Sequence, residues 1–185
     1  MTAPATTWSL TDTDRQTLTN QLGRPPRGQL RVVVRHPDTT PAVIQTYPAF
    51  RTADGRLEPF PNLYYLTHPT LCAVIGQLES AGWITRLEQI IAADPNLITQ
   101  LTQDHNQYRQ TRWNLLTPED QQELTAAGRA PALQQTGIGG IAYQTQAGPA
   151  LKCLHLHTAH HLAAQAENQT TTVGQLMIQH QLIAI

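Results

Sequence analysis

The chain has 185 residues, 40% apolar and 14% charged, with 12 basic residues against 13 acidic ones for a net charge of −1. Its apolar content excludes a wholly disordered chain, its length suits one domain, and its charge leaves no basic excess for a nucleic-acid backbone, so no nucleic-acid partner is expected. Two cysteines, no leader of basic then apolar residues and no run of about 18 apolar residues fit a cytoplasmic protein with free thiols and no membrane partner.

Residues 1–10 read as a flexible tail and 11–185 as a single domain. Thr11 or Asp12 caps a short helix through residue 22, which Gly23 and the Pro25-Pro26 pair end. The β-branched run 29–35 reads as a strand, 37–41 as a turn and 42–46 as a second strand, a hairpin whose loop carries His36 and Asp38. Residues 52–61, with two prolines and Asp54-Gly55, read as loop, and 62–67 as a third strand. Pro69 opens a helix to about residue 92 that Gly82 kinks or splits. Asp94-Pro95 restarts a helix to about 115, and Thr117 caps another that stops near Gly128. Residues 137–148 are turn-rich, with a hairpin around 141–144; helices follow at 149–166 and 173–183. The expected fold is α+β, a small antiparallel sheet over residues 29–67 covered by four or five helices.

Residues 152–161 hold four histidines and one of the two cysteines. At about 100° per residue, Cys153, His157 and His160 share one helical face. Thiolate and imidazole are preferred zinc ligands, so Cys153 and His157 suit one ion, completed from another segment. His36 and His68 each follow a predicted strand and precede a proline, and Asp38 adds an oxygen ligand two residues after His36. The ordinary alternative is that these are helix and loop histidines bonded within the fold. Arg24, Arg27 and Lys152 form a second group, suited to a small anionic ligand because guanidinium forks fit carboxylate and phosphate. His105, Tyr108 and Arg112 share a face of their predicted helix, as an acid–base set or, more commonly, an amphipathic seam. Gly137-Ile138-Gly139-Gly140 lacks the spacing of a dinucleotide fingerprint, and Cys72 reads as a buried helix residue.

Three segments together resemble bacterial domain-of-unknown-function family 501: residues 21–28 (QLGRPPRG), 60–67 (FPNLYYLT), and Lys152-Cys153-Leu154-His155 followed by Ala159-His160. The family brings no established activity. The resemblance implies a cysteine pattern, Cys-x-Cys-Gly where this chain has His36-Pro37-Asp38-Thr39 and Thr-Cys-Pro where it has Thr67-His68-Pro69. It shares the Lys-Cys-Leu-His. The four cysteines of that pattern become His36, Asp38, His68 and Cys153, each a metal-ligand type, and this set favours zinc or mononuclear iron over a cluster. His157 does not match the pattern. The expected function is a cytosolic metal-binding protein with those four ligands, His155 and His160 as supporting or acid–base groups, and a small anionic substrate if a coordination position is open. The rival is a non-catalytic protein-binding module with structural histidines, using Tyr64-Tyr65 and Arg24/Arg27.

Overall fold

Thr11 starts the first helix as its hydroxyl accepts from Asp14 N–H at 3.0 Å, and Gly23, at φ 68°, ends it. The computed structural model describes residues 8–145 and 148–183. Residues 1–7 of the expected tail lie outside the described residues, but Trp8 and Leu10 are seated. Trp8 packs edge-on against Tyr47, and Leu10 joins the cluster of Leu18, Leu30 and Ile44.

That helix, α1 (Asp12–Leu22), precedes the hairpin of β1 (Leu30–Arg35) and β2 (Pro41–Thr46), and β5 (Tyr64–Leu66) joins to give the antiparallel order β1-β2-β5. All six residues of β2 are buried, as suits a central strand covered on both faces. Ile44 and Tyr65 face α1, while Val43, Tyr64 and Leu66 face the main core. The pairing of β1 skips Val33, a bulge that lets Val33 and Val34 both meet the main core. Asp14 of α1 clamps the end of β1 by accepting two hydrogen bonds from Arg35, each 2.8 Å.

The loop expected over residues 52–61 is corrected in part, since it contains a strand that pairs with one just before it. β3 (Ala49–Arg51) and β4 (Leu57–Pro59) form a second hairpin that turns through Gly55 at φ 82°. Strands of three residues carry too little alternation to register as sequence pattern. Gly82, also at φ 82°, splits the long predicted helix into α2 (Pro69–Ser80) and α3 (Trp83–Ala92). Then come α4 (Pro95–Asn114), α5 (Pro118–Ala126) and the one-turn α6 (Pro131–Gln134). The short ladder β6 (Gln144–Thr145) with β7 (Gly148–Pro149) stands near the expected hairpin; residues 146–147 lie outside the described residues. Because Pro149 belongs to β7, the next helix starts five residues late, as α7 (Leu154–Gln165) with Cys153 as its N-cap, and α8 (Thr172–Gln179) closes the fold. Eight α-helices among the described residues and this small sheet make the fold α+β. None of those helices is long and apolar enough to cross a membrane.

α7 lies across the sheet, chiefly on β5, and also packs against α2 and α8, so it is buried on nearly all sides. Gly174 of α8 meets His161 of α7, where an added Cβ would stand 2.0 Å from the ring Cγ. The ring is held by Thr171, whose N–H and hydroxyl approach Nδ1 at 3.3 and 3.1 Å. Gly174→Ala is therefore expected to destabilise by about 2 kcal/mol even though alanine is the better helix former. A urea midpoint equal to or above wild type would show that the ring can step aside.

Candidate metal centre

The strand order places the ends of β1 and β5 on either side of the start of β2, which brings His36 and His68 together. His36 opens the hairpin loop, closed by His36 N–H on Thr40 O (3.0 Å) and Thr39 N–H on His36 O (2.8 Å). His68 is the N-cap of α2, held extended by the following Pro69. Their rings stack at 3.8 Å between centroids and 19° between planes. Asp38 stands beside both. Its Oδ1 accepts from Thr40 N–H (2.9 Å) and hydroxyl (2.6 Å), which leaves Oδ2 at 3.2 Å from His36 Nδ1 and 3.3 Å from His68 Nε2. The Thr40 bonds, then the two imidazoles, hold the Asp38 carboxyl well below the usual carboxylate range. One ligand atom from each residue lies within 4.8 Å of the others. His68 is buried, and its Nδ1 has no hydrogen-bond partner among the described residues.

Cys153 is outside this group. Burial pushes its thiol up, with the Glu79 charge adding to the shift, and Cys72 is pushed up by burial as well. Around Cys153, the Lys-Cys-Leu-His segment is tied down by neighbouring helices. Glu79 of α2 accepts from Leu154 N–H at 2.6 Å, as a carboxylate at a helix N-terminus should, and Glu88 of α3 accepts from Leu151 N–H at 2.8 Å. His155 wedges between α2 and α7, with Nδ1 3.1 Å from Glu79 and Nε2 3.2 Å from Cys72 O. Lys152 donates to Gly139 O at 3.0 Å. Neither glutamate was legible as a site residue; the available signal was a lone acid within each apolar helix.

His160 lies away from the His36–Asp38–His68 group. It stacks on Tyr64 at 5.8 Å and meets Tyr108 edge-on at 5.1 Å, with Nδ1 unpartnered. It belongs to an interior array with His105 and His157, which sequence spacing alone did not reveal because the members come from α4 and α7. Burial is the main cause holding all three down, His105 to about 2, His160 to about 3 and His157 to about 4. His105, Tyr108 and Arg112 do share a buried face of α4, and each bonds main chain: Ile138 N–H donates to His105 Nδ1 (2.9 Å) and Leu63 N–H to Tyr108 Oη (2.6 Å). Such a seam fixes loops onto a helix.

Arg24 and Arg27 line a separate cavity on the α1 side of the sheet, and Lys152 is not among its lining residues. That cavity holds Gly28, Leu30 and Thr46, at the opposite end of the β1–β2 hairpin from His36 and Asp38. The two groups are therefore distinct rather than one composite site.

The fold and its edge group define a class, an α+β protein that gathers two histidines and one carboxylate at the end of a three-stranded sheet. Residues 32–179, most of the chain, match the family described as protein of unknown function (DUF501), and the chain belongs to that family. The match contains the His36–Thr39, Thr67–Pro69 and Lys152–His155 segments, while residues 21–28 precede it. No curated protein and no solved structure matches the chain.

Proposed function

We propose that this is a cytoplasmic protein that binds one divalent metal ion, zinc or ferrous iron, through His36, Asp38 and His68. The carrying observation is the convergence of two imidazole nitrogens and one carboxylate oxygen within 4.8 Å, from two segments distant in sequence. Zinc bonds of about 2.0–2.1 Å in a tetrahedron separate ligand atoms by about 3.4 Å, close to the 3.2 and 3.3 Å separations here. Two imidazoles and a carboxylate are also the donor set of mononuclear ferrous sites. Stacked rings hold their lone pairs in nearly parallel planes, so bringing both onto one ion requires one ring to turn; His36, a third exposed, has the room. Three protein ligands leave a position for water, the arrangement on which hydrolysis of a small anionic substrate would depend.

The test is elemental analysis of untagged protein purified without chelator, with wild type, His36→Ala and Cys153→Ser run together. About one ion per chain is expected in wild type and Cys153→Ser, and none in His36→Ala. Loss in a folded Cys153→Ser would replace this three-residue set with the four-residue set that includes Cys153. Wild type without metal, and taking up none from added zinc or ferrous iron, would sink the proposal.

A further inference from the structure

The cavity on the α1 side of the sheet has a volume of about 530 Å³, within the range of about 300–1,000 Å³ common for small-molecule sites. Its walls are ring faces and aliphatic side chains: Phe60 stacks on Tyr65 at 6.1 Å, Phe50 meets Phe60 edge-on at 6.2 Å, and Leu30 and Ile44 form part of the lining. Phe50 is 46% exposed, one of two large apolar side chains so placed among the described residues. The hydroxyls in the wall are already engaged, since Tyr47 Oη donates to Asp120 and Tyr65 Oη accepts from Asn62.

The charged side chains of the cavity wall itself are all basic. Arg24, Arg27 and Arg51 line it, and no carboxylate among the described residues does. Arg51 is neutralised by Glu123 at 2.8 Å and Asp120 at 3.4 Å. Arg24 and Arg27 have no ion-pair partner among the described residues, and Pro25-Pro26 between them stiffens the segment that carries them. An apolar cavity with two uncommitted guanidiniums is complementary to a molecule with an apolar body and one oxyanion head.

We propose that this cavity binds a small amphiphilic anion, an acyl or aromatic chain ending in a carboxylate or comparable oxyanion. The apolar body fills the space between Phe60, Tyr65 and Ile44, and the head meets Arg24 and Arg27. The site is independent of the His36–Asp38–His68 group and stands whether or not that group holds a metal.

Decanoate is the probe, with decanol as its neutral counterpart, titrated by calorimetry against the full chain, with displacement of 1-anilinonaphthalene-8-sulfonate fluorescence as a second readout. The expected result is saturable binding of about one decanoate per chain. Arg24→Gln with Arg27→Gln should weaken decanoate about tenfold or more and leave decanol unchanged, because only the head loses its partners. Phe50→Ser, on the exposed rim, should weaken both ligands. Both variants change exposed side chains, and a wild-type near-ultraviolet spectrum confirms their fold. No decanoate binding, or decanoate binding unaffected by the double arginine change, overturns the proposal. So does binding to phosphatidylglycerol vesicles without uptake of soluble decanoate, which would make this face a membrane-docking surface.

Discussion

Arg112→Met is expected to destabilise the protein by about 4 kcal/mol, a drop in Tm of roughly 10 °C for a chain of this size. Arg112 is fully buried in α4. Its guanidinium donates to Leu133 O (3.0 Å from Nε), Pro61 O (2.6 Å), Thr136 O (2.6 Å) and, more weakly, Gly137 O (3.4 Å). It also lies 5.6 Å from the Tyr108 ring centroid. Burial lowers its pKa to about 10, so it remains charged at neutral pH. No carboxylate among the described residues pairs with it; main-chain carbonyls do that work. This decides the sign. Replacing a whole buried ion pair by apolar residues can be neutral, but carbonyls cannot be replaced, and methionine would leave several of them buried without donors. Arg112→Lys should recover only part of the loss, since an ammonium cannot reach carbonyls on several sides in a planar fork. Denaturant melts of the three proteins are the check, and an Arg112→Met loss under 1 kcal/mol would mean that water or a shifted loop satisfies those carbonyls.

The second large effect is acid lability. Lowering the pH from 7.5 to 5 is expected to remove about 6 kcal/mol of stability, roughly 2 kcal/mol for each of His105, His157 and His160. These histidines titrate near 6.5 in the unfolded chain and between about 2 and 4 in the fold. Between those limits the unfolded chain binds more protons, so the contribution is complete above about pH 6.5 and is lost as pH falls toward the folded values. Asp104 opposes the trend, because burial raises its carboxyl and a raised acid favours the fold as pH drops. It is one group against three. Burial also holds His161 down, which adds to the effect in the same direction. Urea titrations across this range measure the slope. His160→Phe keeps a ring between Tyr64 and Tyr108 and removes a titrating site, so it should match wild type near pH 7.5 and retain about 2 kcal/mol more at pH 5. A wild-type loss below 1 kcal/mol would show that the interior accepts protons readily.

Local signals in this chain carried local structure. Thr11 and Gly23 bound α1 as expected, Pro69, Pro95 and Pro118 open their helices, Gly82 divides α2 from α3, and the β-branched run around Val32 and Val43 pairs as a hairpin. His36, Asp38 and His68 were legible because a loop after a strand and a histidine before a proline are positional features, and the strand order then joined them. Other expectations depended on distance through space. Cys153 has the right chemistry for a ligand, yet Pro149 is drawn into β7 and Cys153 becomes an N-cap outside the His36–Asp38–His68 group. His157 and His160 read with Cys153 as a ligand face of one helix until α4 and the sheet pack around them, and Arg24 and Arg27 gain a cavity only when the β3–β4 hairpin supplies its aromatic wall. Caps, turns and periodicity act within a few residues and so survive in sequence, whereas burial, ligand convergence and uncompensated charge depend on packing between segments far apart in the chain.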